Sequence, residues 1–160
     1  MLERRISFDR PAGACSVRRA RLSDLDRIVE LENLSFEFDL FTRAHYRYLM
    51  VKANSVALVL ERNGRLIGSA VLLFRRNARN AHLYTIAIRP DMRGRGYGAR
   101  LLKVCEGIAR RRSCYRLTLE VRADNRAAKK MYKKAGYSIL ERVEAYYEDG
   151  CDALRLMRVI

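Results

Sequence analysis

The sequence lacks the residue clusters that bind metals and the apolar runs that enter membranes. Its cysteines, Cys15, Cys105, Cys114 and Cys151, include no pair two to four residues apart, and only 2 histidines occur, which argues against a zinc site. No apolar run approaches the roughly 20 residues that span a bilayer, and residues 1–17 lack the apolar stretch of a signal peptide. We therefore expect a cytoplasmic protein with reduced thiols, no metal and no membrane contact.

Proline and low-complexity sequence are also scarce, which favours a single folded unit. Only 2 prolines occur in 160 residues, and no linker, repeat or change of composition divides the chain. Hydrophobic residues make up 49% of the sequence, enough for a core that buries about two-thirds of the unfolded surface. We predict a single domain over residues 1–160, with residues 1–15 as a poorly ordered lead-in.

Acidic residues are too few to balance the basic ones. Lys and Arg number 33 against 18 Asp and Glu, which gives a formal charge of +15. This excess fits an acidic partner such as a phosphorylated cofactor, a nucleic acid or a ribonucleoprotein, and equally a well-solvated surface. The basic residues are spread along the chain without an interleaved basic-aromatic strand motif. Charge alone therefore does not support direct nucleic-acid binding.

Hydrophobic periodicity predicts a mixed α/β domain. Two helices come first, one after the expected N-cap Ser23 and one over residues 42–52. Asn63-Gly64 has the residue types of a two-residue hairpin turn, so the strands on either side are antiparallel. A strand–helix–strand–helix unit and a final pair of strands follow. Besides a short strand before Arg18, the predicted strands cover residues 55–61, 66–74, 81–89, 115–122, 137–146 and 153–159.

A glycine-rich turn lies between the predicted strand 81–89 and the next helix. Residues 93–99 read RGRGYGA. Glycines let the backbone turn sharply and point N–H groups at an anion, and the helix N-terminus adds partial positive charge at the same place. Because Arg93, Arg95 and Arg100 reinforce this charge, the turn predicts a phosphate or pyrophosphate site.

Several kinds of turn share this appearance. A nucleotide P-loop requires Gly-Lys-Ser/Thr, which is absent. The dinucleotide fingerprint is matched by Gly94, Gly96 and Ala99, with Glu120 about twenty residues further on. An antiparallel hairpin precedes the turn, however, and Glu120 lies within a strand rather than after it, and both features count against that fingerprint. The remaining interpretations are an acyl-coenzyme A pyrophosphate site and a plain tight turn without a ligand.

Motifs around the turn resemble those of the GNAT acetyltransferases. Arg93, Gly96 and Gly98 fit the Arg/Gln-x-x-Gly-x-Gly/Ala signature of that superfamily. The segment Ile86-Ala87-Ile88, followed by Pro90, resembles the strand that enters the signature. The turn alone is a weak signal, and it is the order of this and later motifs that identifies the chain as similar to this superfamily.

The later motifs resemble the RimI-type branch, the ribosomal-protein alanine N-acetyltransferases. Residues 119–125, LEVRADN, resemble its LEVRxxN segment, and the run from Met131-Tyr132 to Gly136-Tyr137 resembles its LYxxxGF. Tyr146-Tyr147 and the acidic loop after it resemble its late tyrosine pair. Residues 37–41 read EFDLF where RimI-type enzymes commonly carry Pro-Trp, so the resemblance, dense from about residue 83 onward, leaves the acceptor open.

The resemblance implies a fold and an activity. The fold is GNAT-like: a central, mostly antiparallel twisted sheet of about seven strands, whose parallel fourth and fifth strands splay around the cofactor, flanked by about four helices. The activity is transfer of an acetyl group from acetyl-CoA to a primary amine by direct attack in a ternary complex, without a metal. The implied cofactor-binding residues are Ile86, Ala87, Ile88, Arg93, Gly94, Arg95, Gly96, Tyr97, Gly98, Ala99 and Asn125.

The same resemblance assigns the catalytic groups. Glu120 falls on the general base of the RimI-type enzymes and Tyr132 on their general acid, and a phenol can protonate a departing thiolate. Tyr146 and Tyr147 are candidates for lining the acceptor pocket. By residue type alone, Glu120 could be a surface carboxylate and Tyr132 a core aromatic. His45 and His82 are expected to be ordinary packed or surface residues.

The acceptor and the partners stay open at this level. The amine could belong to a protein N-terminus, a ribosomal protein, a lysine or a small molecule, and the protein could be a monomer or a homodimer. Two other classes of function are also open. One is a non-catalytic acyl-CoA-binding regulatory module, and the other is a basic protein associated with the ribosome or with nucleic acid, which the charge alone suggests.

Overall fold

One mixed sheet organises the computed structural model, which describes residues 6–8 and 15–160. Within these residues the sheet has eight strands in the order β1-β2-β3-β4-β5-β6-β8-β7. Its strands are β1 (Ile6–Phe8), β2 (Cys15–Arg19), β3 (Ser55–Arg62), β4 (Arg65–Phe74), β5 (Asn80–Ile88), β6 (Arg116–Arg122), β7 (Ser138–Val143) and β8 (Ala153–Val159).

Four α-helices cover the two faces of this sheet in the described part of the chain: α1 (Leu25–Ser35), α2 (Arg43–Val51), α3 (Tyr97–Arg111) and α4 (Arg126–Lys134). The helices α1 and α2 pack on one face, over a core that includes Val59 and Ala87. The helices α3 and α4 pack on the other face, over a core that includes Leu117 and Leu119. The sheet therefore separates two hydrophobic cores, and none of these helices is long and apolar enough to cross a membrane.

The parallel pair predicted for the middle of the sheet is β5 and β6. These strands pair only from Asn80–Arg116 to Leu83–Leu119. Beyond that point β5 continues along β4 as far as Ile88, while β6 continues along β8. The two strands therefore diverge into a wedge. We call the end where β5 and β6 begin the closed end of the sheet, and the end where they finish the open end.

The GNAT-like fold is thus confirmed, with one strand more than the seven expected. The extra strand β1 pairs antiparallel with β2, with Ile6 opposite Val17 and Phe8 opposite Cys15. The sequence predicts a poorly ordered lead-in over residues 1–15, whereas residues 6–8 form β1 and Cys15 begins β2. The other lead-in residues, 1–5 and 9–14, lie outside the described part. Pairing at a sheet edge uses backbone groups, so a three-residue strand leaves little trace in the sequence pattern.

The start of α1 corrects another expectation. Ser23 was predicted to cap this helix, but it lies inside a 3₁₀ turn, Leu22–Asp24, that precedes it. The Asp24 carboxylate accepts a hydrogen bond from the backbone N–H of Arg21 at 2.7 Å. It also binds the Arg18 guanidinium, which reaches Glu61 as well. A side chain from β2 thereby fixes the start of α1, which a local capping rule could not foresee.

We expect this buried ion pair to contribute strongly to stability. The side chain of Asp24 is only 1% exposed and that of Arg18 12%. Asp24→Asn leaves the guanidinium without its main partner, so the free energy of unfolding should fall by about 3 kcal/mol in denaturant titrations. The matched control is Asp26→Asn, whose ion pair with Arg43 is exposed and should cost less than about 1 kcal/mol. Equal losses in the two variants would contradict this assignment.

The same pair makes stability depend on pH. Hydrogen bonds from Arg18, opposed by burial, lower the pKa of Asp24 from 3.8 to about 2. A carboxyl with a lowered folded-state pKa stabilises the fold above its unfolded-state pKa, and this contribution is lost as the pH falls. The stability difference between the wild type and Asp24→Asn should therefore shrink between pH about 4 and pH about 2.

Candidate functional site

The glycine turn lies at the open end of the sheet, between β5 and α3. Gly94 and Gly96 have φ angles of 74° and 81°, a left-handed backbone that glycine adopts without strain. A side chain at either position would meet nothing within 4 Å, so the space in front of the turn is open. Gly98 is different, because a Cβ there would lie 3.0 Å from the sulfur of Met131. This glycine lets α4 approach α3 closely.

The predicted cofactor-binding side chains separate into two groups. Arg93 binds its own protein: Nε donates to the Ile88 carbonyl at 3.0 Å and the other guanidinium end donates to the Ser35 carbonyl at 3.1 Å. Tyr97 is buried in the core under α3. Arg95 is exposed and has no hydrogen-bond or ion-pair partner among the described residues. Arg95, the exposed Arg100 and the backbone N–H groups at the start of α3 are therefore the groups available to an anion.

The wedge between β5 and β6 brings the remaining predicted cofactor residues to the same place. Ile86, Ala87 and Ile88 lie on β5 beyond its last pairing with β6, so no described strand covers that edge. Asn125 is the N-cap of α4, and its Oδ1 accepts a hydrogen bond from the Ala128 N–H at 3.0 Å. Its side-chain NH₂ group stays available to a ligand. An extended chain entering the wedge would meet unpaired backbone on one side and the start of α4 on the other.

Glu120 sits on β6 at the point where the wedge opens, with its side chain on the α1–α2 face. It accepts a hydrogen bond from Arg155 Nε at 2.8 Å and lies 3.0 Å from His82 Nε2. Burial raises the pKa of Glu120, but the bonds to His82 and Arg155 outweigh it and lower the pKa to about 2. The carboxylate is therefore ionised at neutral pH and bound on two sides. It is an anchored negative charge, and alone a weak proton acceptor.

His82 is the residue of this site that sequence reasoning missed. Its Nε2 faces Glu120, and its Nδ1 lies 2.9 Å from Thr118 Oγ1. The ring is thus held between two residues of β6, while 32% of its side chain stays exposed. The only signal in the sequence was its place on the polar face of a strand. Because β5 and β6 are parallel, their register, and hence this contact, cannot be deduced from either strand alone.

Tyr132 lies on the other side of the sheet from Glu120. It is 4% exposed and belongs to the core under α3 and α4. Its ring meets that of Tyr137 edge-on at 5.6 Å, and its hydroxyl has no hydrogen-bond partner among the described residues. Burial raises the pKa of this phenol, which keeps it protonated. The two predicted catalytic groups, Glu120 and Tyr132, do not touch. The wedge is the opening that connects the two faces of the sheet on which they lie.

Aromatic side chains surround the Glu120 face of the wedge. Phe41 stacks on Tyr84 with ring centroids 5.0 Å apart, and His45 Nε2 lies 3.0 Å from the Tyr84 hydroxyl. Tyr146 and Tyr147 meet edge-on at 5.0 Å, and the guanidinium of Arg122 lies 4.9 Å from the Tyr147 ring. These rings, of which Tyr146 and Tyr147 were predicted as an acceptor pocket, come from β5, from α2 and the loop before it, and from the loop after β7.

A second carboxylate, Asp39, joins those two loops. Its Oδ1 accepts a hydrogen bond from the Glu148 N–H at 3.2 Å, while its Oδ2 is buried without a partner in the described part of the chain. Burial raises the pKa of Tyr147, and the negative charges of Glu120 and Asp39 add to that shift. Both carboxylates therefore act on the same tyrosine. Asp39 lies in the segment that departs from the Pro-Trp pattern, which gave no sign of this role.

The composition of the site does not suggest a metal centre. Within residues 6–8 and 15–160, no three His, Cys, Asp or Glu side chains are grouped so that they could hold an ion. The polar groups of the wedge are instead a buried carboxylate, an imidazole, tyrosines and free backbone N–H groups. This set can bind an anion at one end, hold a negative charge in the middle and exchange protons on either side of the sheet.

Comparison with known proteins identifies relatives of the same architecture. Residues 25–137 match the profile of the acetyltransferase (GNAT) family. A Bacillus subtilis (strain 168) protein that carries the provisional name ribosomal protein bS18-alanine N-acetyltransferase is 33% identical over 140 residues, covering 87% of this chain and 91% of that protein. An uncharacterized N-acetyltransferase of Methanocaldococcus jannaschii is 31% identical over 146 residues, covering 89% of this chain and 90% of the relative.

A solved structure agrees with the fold. The crystal structure of the ribosomal-protein-S18-alanine N-acetyltransferase from Escherichia coli superimposes with a TM-score of 0.83 at 25% sequence identity. The superposition covers 91% of this chain and 94% of that one. The likeness therefore extends over most of the length of both proteins.

Proposed function

Because this chain belongs to the acetyltransferase (GNAT) family and is an N-acetyltransferase, we propose that it acetylates the N-terminal amine of a protein, with acetyl-CoA as the donor. The observation that carries the proposal is the wedge between β5 and β6, which connects an anion-binding turn to a pocket with two carboxylates. The names of relatives support the acceptor class, since they act on a ribosomal-protein alanine and, in Schizosaccharomyces pombe, as N-alpha-acetyltransferase 30. The family assignment makes the chain an enzyme rather than a non-catalytic binding module.

The donor site is proposed along the turn and the wedge. The pyrophosphate would bind the N–H groups between Gly94 and Ala99, where Gly96 is the N-cap of α3, together with the free guanidinium of Arg95. The pantetheine arm would follow the uncovered edge of Ile86, Ala87 and Ile88 beside Asn125. Arg93 supports the turn indirectly, because its guanidinium holds the turn to β5 and to α1. When bound, acetyl-CoA supplies the activated acetyl group, and the residues of the turn and the wedge hold the cofactor in position.

The proton of the amine is proposed to leave on the Glu120 face. Glu120 stays ionised, and His82 beside it is the side-chain type that most readily exchanges a proton near neutral pH. We assign proton acceptance to this pair, directly or through a water. The Glu120 carboxylate stabilises the imidazolium formed, and Arg155 and Thr118 fix the geometry of the two groups. The base inferred from the sequence, Glu120, is thus proposed to act together with His82.

The pocket around this pair suits a cationic acceptor. Asp39 and Glu120 contribute negative charge, and Tyr146 and Tyr147 contribute ring faces and hydroxyls. The unpartnered Oδ2 of Asp39 is placed to accept a hydrogen bond from a substrate N–H, since a buried carboxylate oxygen without a partner is costly. A protein N-terminus supplies an ammonium and backbone N–H groups together. A free polyamine, the next candidate, supplies only the charge.

We also propose that the protein works in the cytoplasm. All four cysteines are free, and Cys15, Cys105 and Cys114 are buried. Unpaired thiols in a folded core suit a reducing compartment. This location also provides both acetyl-CoA and newly made protein N-termini.

A direct test compares acceptors that differ only in the amine. The purified protein is incubated with acetyl-CoA and a short peptide with a free N-terminal alanine, and products are located by mass spectrometry. The controls are the same peptide with a blocked N-terminus and an internal lysine, and spermidine. We expect acetylation of the free N-terminus alone, with Asp39→Asn raising the peptide KM about tenfold, the loss of one charge-assisted hydrogen bond. Turnover of lysine or spermidine only would refute the proposed acceptor.

The donor site can be tested with two glycines of matched geometry. Gly96 and Gly64 have φ angles of 81° and 77°, and a Cβ at either meets nothing within 4 Å. Alanine at either position should therefore cost stability by a similar amount, about 1–2 kcal/mol. Only Gly96→Ala should weaken CoA binding in calorimetry, by roughly tenfold, because the strained turn relaxes away from its binding conformation. Unchanged CoA affinity in Gly96→Ala would exclude the turn as the pyrophosphate site.

The general acid can be tested with two neighbouring tyrosines. Tyr132→Phe removes the hydroxyl without a partner, whereas Tyr137→Phe removes one that donates to Glu106 at 3.0 Å. We expect Tyr132→Phe to lower kcat at least about tenfold with little change in CoA affinity. Tyr137→Phe should lower stability by about 1–3 kcal/mol and keep kcat. If both variants keep wild-type kcat, Tyr132 is a packing residue and the thiolate leaves without it.

The pH dependence of the rate adds a second readout. Burial raises the pKa of Tyr132, so its loss of a proton belongs to strongly alkaline pH. The wild-type rate should rise as the acceptor amine releases its proton, and no decline from Tyr132 should occur near pH 10, where an ordinary tyrosine ionises. A fall there that persists in Tyr132→Phe would belong to another group.

A further inference from the structure

We propose that the closed end of the sheet, remote from the glycine turn, binds single-stranded RNA. Six arginines lie there. Four are in the loop between β4 and β5 and the loop between α3 and β6, one is at the end of α3 and one is at the start of β6. We call this group the arginine end: Arg75, Arg76, Arg79, Arg111, Arg112 and Arg116. The inference does not depend on the identity of the acetyl acceptor, because no residue of the wedge belongs to the group.

The fold, rather than the sequence, gathers these charges. The loop between β4 and β5 and the loop between α3 and β6 are about thirty residues apart in the chain. The Tyr115 N–H donates to the Arg79 carbonyl at 2.9 Å, and Arg79 Nε donates to the Ser113 carbonyl at 3.4 Å. Arg116 Nε donates to Asn80 Oδ1 at 3.2 Å. These bonds fix the two loops side by side.

The two loops of the arginine end contain no Asp or Glu side chain. The sequence has no Asp or Glu between Glu61 and Asp91, nor between Glu106 and Glu120. None of the six arginines forms an ion pair in the part of the chain that the structure describes. Ten arginines elsewhere in the described part of the chain do so, namely Arg18, Arg27, Arg43, Arg65, Arg89, Arg110, Arg122, Arg142, Arg155 and Arg158. The arginine end is therefore a group of six arginines whose two loops contain no Asp or Glu.

Helix electrostatics account for only a part of this group. Basic side chains in the last turn of a helix are stabilised by its dipole, and Arg111 lies in the last turn of α3. Arg75, Arg76 and Arg79 belong to a loop that joins two strands and follows no helix. They are exposed and repel their neighbours, so an anionic ligand would relieve a cost that the fold leaves in place.

An exposed aromatic ring stands among the arginines. Tyr115 is 46% exposed, and the guanidinium groups of Arg79 and Arg116 lie 5.9 Å and 5.7 Å from its ring centroid. A flat ring surrounded by arginines is the arrangement on which an unpaired base stacks while its phosphates meet the guanidinium forks. Arg112, 4.3 Å from the Phe74 ring, extends the same surface.

These features favour RNA over an anionic membrane. A basic surface that enters a lipid interface presents exposed aliphatic or large aromatic side chains beside its charges. The exposed non-basic residues in the two loops are Asn77, Ser113 and Tyr115, which offer hydrogen bonds and one ring. Val159, opposite Arg116 on β8, adds a single exposed aliphatic side chain. Arg116 precedes Glu120 by four residues of β6, about 13 Å at 3.3 Å per residue. RNA at this end would thus leave the wedge free.

The test compares two variants that lose equal charge. The first is the triple change Arg75→Gln, Arg76→Gln, Arg111→Gln, at the arginine end. The second is Arg43→Gln, Arg65→Gln, Arg142→Gln, at three ion-paired surface positions. The probe is a fluorescein-labelled single-stranded RNA of mixed sequence, about 20 nucleotides long, and its anisotropy is followed over a series of salt concentrations. Circular dichroism checks that both variants fold.

We expect the first variant alone to bind RNA at least about tenfold more weakly, with a slope of log affinity against log salt lower by about 2, since each single-strand phosphate contact contributes about 0.7. Tyr115→Leu should weaken binding about fivefold or more without changing that slope. Peptide acetylation by the first variant should match the wild type, which separates RNA binding from catalysis.

Three results would overturn the inference. Equal weakening in both triple variants would mean that RNA senses net charge only. Absence of measurable RNA binding by the wild type at low salt would remove the site. Binding to vesicles of phosphatidylcholine and phosphatidylserine that depends on the same arginines, with no RNA binding, would assign the surface to a membrane.

Discussion

The divergence of β5 from β6 after Leu83 and Leu119 is the constraint on which the rest of the site depends. Each strand keeps a partner on its outer side, β4 or β8, so the sheet opens in the middle without losing its outer hydrogen bonds. The opening leaves one backbone edge of β5 uncovered and joins two faces that a continuous sheet would separate. An acetyl donor on the α3–α4 face and an amine on the α1–α2 face can meet only there, and all the proposed groups are arranged around that passage.

Electrostatics at the mouth of the wedge depends on the same geometry. Glu120 is half-buried, which disfavours its charge, yet its partners Arg155 on β8 and His82 on β5 keep it ionised. Arg155 lies directly opposite Glu120 across the antiparallel pair, and it also binds Glu141 on the next strand. One guanidinium thus ties β6, β8 and β7 together beside Glu120. In the proposed mechanism, this carboxylate acts through its fixed charge and through His82 more than through its own basicity.

A feature could be predicted from the sequence when it depends on residues that are close together in the chain. The helices, the hairpin at Asn63-Gly64, the glycine turn and the order of strands depend on residues near one another in the chain, and these expectations agree with the structure. The contact of His82 with Glu120, the buried oxygen of Asp39 and the hold of Arg18 on Asp24 join segments that are far apart. Each depends on a strand register or a loop contact that residue type does not encode. Tyr132 was placed near the chemistry by motif, whereas its position on the opposite face required the three-dimensional fold.

The distribution of charge makes the same point at the scale of the molecule. Along the sequence, the basic residues that give the net charge of +15 over 160 residues are distributed throughout the chain. In the fold, most acids are used in ion pairs around the open end and along the outer strands, for example Arg122 with Asp149 and Arg142 with Asp152. The two loops at the closed end contain no Asp or Glu, so part of the excess charge is gathered there. A rigid group of unpaired arginines around an exposed ring is a surface whose electrostatic cost an external anion would offset.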